Sequence, residues 1–321
     1  MKVDVLSDVL RAVRLTGAVY FDFELSSPWV AEAPNSREIA AIVMPGAQRV
    51  IEYHVIARGT CWGHAIGQEP ICLREGDLIV FPQGDAHVLS SAPGMRRQPD
   101  VSIYTRNGAP LPFVQEMGGG GPERVRVICC FLGCDERPYN PLLSSLPSVI
   151  HLQAHGTNAT TGWISTLLNV AVRESGSARA GTENVLARLS ELMFVEAIRR
   201  YLETLPPSQT GWLAGLRDPI VGQALTALHA QATETWTVER LARLVGLSRS
   251  VLAERFMEMV GQPPMQYLAL WRMQLASRLL TEGAQVGEVA SAVGYESEAA
   301  FSRAFKKLVG QAPSAWRRGA R

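Results

Sequence analysis

One phrase occurs twice near the end of this chain. "MVGQPPMQYLAL" starts at Met259 and "LVGQAPSAWRRG" at Leu308, and both contain Val-Gly-Gln-x-Pro-x-x-aromatic. The echo also runs backwards, laying "LARLVGLSRSVLAERFMEMVGQPPMQY" over "VASAVGYESEAAFSRAFKKLVGQAPSAW". Leu241-Ala242 falls on Val289-Ala290, and Val245-Gly246-Leu247 on Val293-Gly294-Tyr295. The second copy holds one extra residue in its turn. After it, Leu252 and Phe256 fall on Phe301 and Phe305, and Tyr267 on Trp316.

Each copy reads as a helix, a turn and a second helix. A small Ala in the first helix permits close crossing. Gly246 or Gly294 then ends that helix where a positive φ is expected. Ser248 and Ser297 stand where an N-cap is wanted. Leu252/Phe256 and Phe301/Phe305 are i,i+4 pairs that pin the second helix to a core. Two full copies agreeing at fixed offsets favour a DNA-reading unit over a scaffold hairpin.

The rest of the chain has a different texture. From about Tyr20 to Leu152, short β-rich runs ("REIAAIVM", "RVIEYHVIA", "DLIVFP", "RVRVICCFL") alternate with Gly and Pro, as in a sandwich or barrel. "EMGGGGPER" is a loop between two of them and not a phosphate cradle, since no helix follows. From Thr161 to Leu205 the period turns helical, with Val185, Leu189, Leu192 and Glu196 on one face and Leu186, Met193 and Ala197 beside them. That stripe suits a homodimer or interdomain surface, or a cover for its own barrel. The fold class expected is α+β and multidomain: an antiparallel β-barrel over 1–155, a helical linker over 156–213, and an all-α tandem helix-turn-helix domain over 214–321.

With 321 residues, 47% of them apolar, such cores are affordable in area. No apolar run approaches the ~20 residues that cross a bilayer, and "MKVDVLSDVLRAVRL" lacks the continuous apolar centre of a secretory signal. A soluble, cytoplasmic protein without membrane contact is expected. From Asp218 onward 12 Lys+Arg face 9 Asp+Glu, a net of +3, and the remaining 19 against 21 give −2. The small excess permits nucleic-acid binding at that end. The odd set Cys61, Cys72, Cys129, Cys130 and Cys134 is no disulfide scaffold; it suggests buried thiols, a metal site or a redox group.

On the repeat, the last ~100 residues resemble the DNA-binding domain of the AraC/XylS family of bacterial transcription regulators. The resemblance implies a long helix joining the two units, here about Pro264 to Thr281. It also implies recognition helices, here Ser248–Val260 and Ser297–Val309, entering successive major grooves roughly 34 Å apart. With Leu252 and Phe256 inward, the outward residues of the first are Arg249, Ser250, Ala253 and Glu254. Those of the second are Glu298, Ala299, Ser302, Arg303 and Lys306. Arg303 could read a guanine edge and Lys306 hold a phosphate, while Glu254 could accept from cytosine N4 or repel the backbone. The plain alternative for each is a solvated helix face. Arg255, Arg272, Arg317 and Arg318 suit phosphate contacts or intradomain pairs.

In the N-terminal region, "REGDLIVFPQGDAHVLSS" spaces Gly76, Pro82, Gly84 and His87 like the second motif of the cupin barrels. The first motif is half present, as Glu52 and Gly59, and its His-x-His is missing. Period two puts Glu52 and His54 on one strand face, where His87 could meet them and Cys129 or Cys130 could join. Such a set could hold zinc or another divalent ion; a barrel lined by satisfied polar side chains is the alternative. His54 through Trp62 and Gly76 through His87 resemble the cupin sensor of a subset of AraC-type regulators. That resemblance implies a ligand or oxidant signal, for which Cys61, Trp62, Cys129, Cys130 and Cys134 are the residues to inspect. For each cysteine, inert packing is the competing reading.

The expected protein is therefore a sequence-specific transcription regulator, an activator rather than an enzyme. It would be a homodimer that binds promoter DNA and RNA polymerase and is controlled by a small molecule, a metal or an oxidant. The alternatives are a metal-dependent cupin enzyme with a helical appendage, or a metal-storing or scaffolding protein whose helices bind protein and not DNA.

Overall fold

The structure, a computed structural model, describes residues 4–105, 111–153, 161–175, 179–206 and 208–319. By its contacts the chain forms two units. One comprises Leu15–Cys134 and Leu146–Thr204, the other Met1–Arg14, Asp135–Ser145 and Leu205–Arg321. These units do not follow the three-part order of the sequence. The first helix and a short mid-chain segment join the C-terminal helices, and the long helical segment joins the barrel.

The barrel unit contains β1 (Thr16–Ser26), β2 (Val30–Ala33), β3 (Arg49–Arg58), β4 (Thr60–Ala65), β5 (Ile71–Arg74), β6 (Leu78–Phe81), β7 (His87–Ser90), β8 (Phe113–Gly118), β9 (Arg124–Cys134) and β10 (Ile150–Leu152). They form a six-stranded sheet, β10-β6-β3-β9-β1-β8, and a four-stranded sheet, β2-β7-β4-β5. All pairings are antiparallel except β1 with β8, which is parallel. Alternation sets the faces. Phe21, Phe23 and Leu25 of β1 and Val125, Val127, Cys129 and Phe131 of β9 enter a core shared with Cys61, Leu73 and Leu89 of the second sheet.

The other face of β3 and β9 carries Ile51, Tyr53, Cys130 and Leu132, all buried. The helix α5 (Thr182–Thr204) lies in the same unit, preceded by α4 (Thr161–Ser175). It is fixed by the Tyr53 hydroxyl donating to the Ser190 carbonyl (2.8 Å) and the Gly17 N–H donating to Glu191 (3.0 Å). Its buried residues include Leu186, Leu189, Met193 and Ala197, whereas Val185 and Leu192 stand exposed. The helical stripe therefore covers its own barrel, and its axis is turned from the one the sequence suggested.

"REIAAIVM" differs from the strand expected of it. It forms α2 (Ser36–Val43). The Asn35 side chain caps it by accepting from Arg37 N–H, and Ile39 and Val43, four apart, are its buried face.

The second unit is helical: α1 (Val5–Ala12), α3 (Pro141–Ser145), α6 (Trp212–Arg217), α7 (Val221–Ala230), α8 (Val238–Leu244), α9 (Arg249–Val260), α10 (Pro264–Thr281), α11 (Val286–Ala292), α12 (Glu298–Val309) and α13 (Pro313–Gly319). The helices α8–α9 and α11–α12 are the two copies, and α10 joins them over the expected bounds. The hairpins close alike. Leu247 N–H donates to the Ala242 carbonyl (3.0 Å) and Tyr295 N–H to that of Ala290 (2.9 Å). Both closures need a left-handed residue, supplied by Gly246 at φ +72° and Gly294 at φ +79°. The Ser248 hydroxyl accepts from Val251 N–H and the Ser297 hydroxyl from Ala300 N–H.

Candidate nucleic-acid interface and barrel site

In each copy the second helix buries two residues. Leu252 and Phe256 of α9, and Phe301 and Phe305 of α12, are fully enclosed. This fixes the rotation of both helices, so the opposite face is solvent-exposed. Arg249, Ser250 and Glu254 on α9, and Glu298, Ala299, Arg303 and Lys306 on α12, are exposed; Ala253 and Ser302 are half-buried. Sequence reasoning missed Val251 and Met257, which are exposed large apolar residues on α9. The signal was available, because Met257 takes the register position of Lys306.

The arginines divide. Arg249 pairs with Glu239 (3.0 Å). Arg255 grips Asp218 through Nη2 at 2.6 Å, and Asp218 in turn accepts from the N–H groups of Ile220 and Val221 at the start of α7. Arg272 donates to the carbonyls of Ala232 and Glu234 and lies over the Tyr295 ring. Arg317 donates to Gln285. Arg255, Arg272 and Arg317 thus hold the domain's own loops.

A buried polar chain runs through the same unit. His229 Nδ1 donates to Asp8 of α1 (2.8 Å), the Tyr267 hydroxyl donates to His229 Nε2 (2.7 Å), and Trp212 Nε1 donates to that hydroxyl (2.9 Å). Burial drives the imidazole pKa down. It is also the largest single influence on the Asp8 carboxyl, working to raise it, but the hydrogen bonds and charges of His229 and Arg11 together outweigh it and the net shift is downward. An ionised Asp8 and a neutral His229 leave every group in this chain with a partner. Gln274 of α10 adds a second tie to α1, donating to the Ala12 carbonyl (3.0 Å).

The barrel holds a cluster of the opposite kind. Glu52 and His54 on β3 and His87 at the start of β7 bring one ligand atom each to within 4.8 Å of one another, and all three are buried. Gly84 makes the approach of β7 possible. It sits at φ +65°, and a Cβ there would meet the Ser36 Oγ at 1.9 Å. His54 Nε2 and His87 Nε2 are 2.7 Å apart, and Glu52 Oε2 is 3.9 Å from His87 Nε2. The Asp85 carbonyl accepts from His87 Nδ1 (2.9 Å), which leaves Nε2 as the basic nitrogen aimed at the cluster. Neither Glu52 oxygen has a hydrogen-bond partner, nor does His54 Nδ1. Burial holds the Glu52 carboxyl well above its ordinary range. Burial pushes His54 well down, with His87 adding to the shift, and brings His87 to about 4.

The triad floors a cavity of about 100 Å³ walled by Phe21, Phe23, Trp29, Tyr104 and Phe131. Two imidazoles that turn Nε2 toward one point, one proton between them, and an orphaned carboxyl become the donor set of a divalent transition ion once those protons leave, so the residues fit one. Cys129, the fourth ligand expected, lines the same cavity but lies outside the cluster.

The cysteines are not arranged as a reactive group. Cys129 and Cys130, as strand neighbours, point to opposite faces, one to the cavity and one to Tyr53. Burial pushes Cys61 and Cys130 up to about 12 and Cys129 well above the ordinary thiol value. Cys134 is buried too, all five are free, and Trp62 is half-buried on β4.

Comparison with known proteins assigns both halves. A family model described as Cupin matches residues 4–203, and one described as Helix-turn-helix domain matches residues 241–319. A protein of Streptomyces lividans described as an AraC-like transcription regulator is 36% identical over 276 residues, 85% of this chain and 88% of that one. The HTH-type transcriptional regulator AlkR of Acinetobacter baylyi is 30% identical over 83% of this chain and 90% of its own. Among solved structures, the C-terminal domain of AraT, a response regulator from Geobacillus stearothermophilus, is similar over 32% of this chain and 86% of its own, at 30% identity and TM-score 0.31.

Proposed function

The chain belongs to the AraC-like family of DNA-binding transcription regulators with a cupin N-terminal region, and from that premise we propose how its residues divide the task. The helices α9 and α12 read the major groove through Arg249, Ser250, Ala253 and Glu254 and through Glu298, Ala299, Ser302, Arg303 and Lys306. The barrel cavity takes the signal. The observation that carries this reading is the matched pair of hairpins, each with two enclosed apolar residues and an opposite face that is mostly exposed.

Glu52, His54 and His87 would hold a divalent ion such as zinc. Bound there, it would supply charge to a buried carboxylate and open coordination positions to a molecule in the cavity. Those three side chains orient the ion's surroundings, and the aromatic walls exclude water. A signal acts by favouring one of two arrangements of the chain. Activation through RNA polymerase, a homodimer using the exposed Val185 and Leu192, and action in the cytoplasm complete the proposal. Among the described residues no helix is long and apolar enough to cross a membrane. The relatives named above are transcription regulators, which favours this role over an enzyme's.

Fluorescence anisotropy of the full chain with DNA from upstream of its own gene tests the reading. Binding to one segment should exceed binding to scrambled DNA by on the order of 10³-fold. Salt-sensitive binding equal on both would point to a non-regulatory role. Elemental analysis of protein purified without chelator should find about one ion per chain, and its clean absence would remove the metal.

A further inference from the structure

The two recognition helices share a backbone plan and differ in charge, α9 being neutral and α12 basic. The enclosed pairs Leu252/Phe301 and Phe256/Phe305 set a constant register of 49 between them, so each outward residue of α9 has a counterpart on α12. Arg249 stands where α12 has Glu298, Glu254 where it has Arg303, Met257 where it has Lys306, and Glu258 where it has Lys307. Both members of every one of these four pairs are exposed. Along α9 two arginines meet two glutamates, and along α12 three bases meet one glutamate. Both arginines of α9 are also engaged, Arg249 with Glu239 and Arg255 with Asp218. Among the described residues Arg303, Lys306 and Lys307 have no ion-pair partner.

We propose that the two readers recognise DNA by complementary chemistry, with Glu254 and Arg303 as the specificity-determining pair. This deepens the proposal that α9 and α12 enter the groove and rests on it. On α12, Arg303 takes the guanine edge of a G·C pair through O6 and N7, and Lys306 and Lys307 bind phosphate. On α9, the carboxylate of Glu254 accepts from cytosine N4 and reads a G·C pair from its other edge. Val251 and Met257, apolar and exposed beside it, meet thymine methyl groups. An acid in the groove weakens non-specific binding through the phosphates, so α9 contributes discrimination and α12 most of the affinity. The chain then binds an asymmetric site in one orientation.

Selection of bound DNA from a random pool, run with the full wild-type chain and its variants, tests this. The wild type should enrich an asymmetric site with one fixed G·C pair in each half. Glu254→Gln should switch one of these pairs to A·T, because a Gln amide pairs with adenine N6 and N7. It should leave the other half unchanged and lower affinity for the original site roughly tenfold. Arg303→Ala should relax the other pair alone. Lys306→Ala should weaken all sequences alike and reduce the salt slope by about 1. Glu254→Gln that tightens binding to every sequence equally, with the same enriched site, would overturn the proposal and leave the acid as a surface charge. An enriched site of two identical halves would also overturn it. A wild type that enriches no sequence would instead sink the DNA-reading placement, and this inference with it.

Discussion

Each unit holds an acid–imidazole cluster around a buried imidazole, and the two are built on opposite principles. In the helical unit Asp8, His229, Tyr267 and Trp212 form a chain in which each donor meets an acceptor. In the barrel Glu52 and His54 Nδ1 have no hydrogen-bond partner among the described residues, and the two Nε2 atoms bond only to each other at 2.7 Å. A buried polar group without a partner costs more free energy than one with a partner returns. A chain keeps such a group where something outside its own atoms completes it. Residue types alone do not separate the two clusters; satisfaction does. The first holds α1 to α7 and α10, and the second has the unfilled donor set on which the proposed ligand site rests.

Breaking the satisfied cluster should have the largest effect. Tyr267→Phe removes one oxygen and leaves His229 Nε2 and Trp212 Nε1 unpaired in a closed core. A loss of about 2–6 kcal/mol is expected from two orphaned groups at ~1–3 kcal/mol each, measured by thermal or urea unfolding of the full chain. A loss below about 1 kcal/mol would mean that water replaces the hydroxyl and that the contrast between the clusters is weaker than the geometry suggests.

The reader was the legible part of the sequence because its signals are local. Ser248 and Ser297 announce helix starts, Gly246 and Gly294 announce turns, and the repeat supplies the register, so α9, α10 and α12 fall within a residue of expectation. The barrel triad was half legible. Period two aligned Glu52 with His54, and the Gly-Asp and Pro-x-Gly spacing aimed His87, but nothing local tells whether a buried carboxylate finds a donor. What long-range contact decides was hidden. No pattern near Asp8 points to His229, and none near Asp135 shows that 135–145 leaves the barrel to pack with the C-terminal helices. At Arg37–Met44 the helix α2 replaces the strand expected, because Asn35 caps it and an apolar run of six fits either period.

The unsatisfied cluster should respond with the opposite sign. Glu52 is held protonated by burial, so its folded pKa lies above the unfolded value. The unfolded chain releases that proton as pH rises past the usual carboxylate range while the folded barrel keeps it, so this residue costs the metal-free protein stability at neutral pH. Glu52→Gln removes the cost at nearly constant shape. Chelator-treated Glu52→Gln should melt above chelator-treated wild type at pH 7, by about 1–2 kcal/mol, and the gap should close as pH falls toward 4. The same variant should no longer retain metal. A variant less stable than wild type at pH 7 would place a hidden partner on Glu52 and erase the distinction between the two clusters.

The thiols offer the smallest and sharpest separation, because they share the barrel with Glu52 yet are packed like core. Reaction of a cysteine with a disulfide reagent or an oxidant requires thiolate. With Cys61 and Cys130 pushed up to about 12, only about one molecule in 10⁵ carries either thiolate at pH 7. Cys129 and Cys134 are likewise enclosed, and Cys72 on β5 is the one half-exposed thiol among the five. Titration of the native chain with a chromogenic disulfide should therefore show one fast thiol, lost in Cys72→Ser, and four that react only as the protein unfolds. The melting temperature of Cys72→Ser should stay within a degree or two of wild type, as expected for a change of at most about 0.5 kcal/mol at a partly exposed site. A second fast thiol in the native state, surviving in Cys72→Ser and lost in Cys129→Ser, would put an oxidisable group on the wall of the cavity. The signal received beside Glu52 would then include an electron acceptor as well as a ligand.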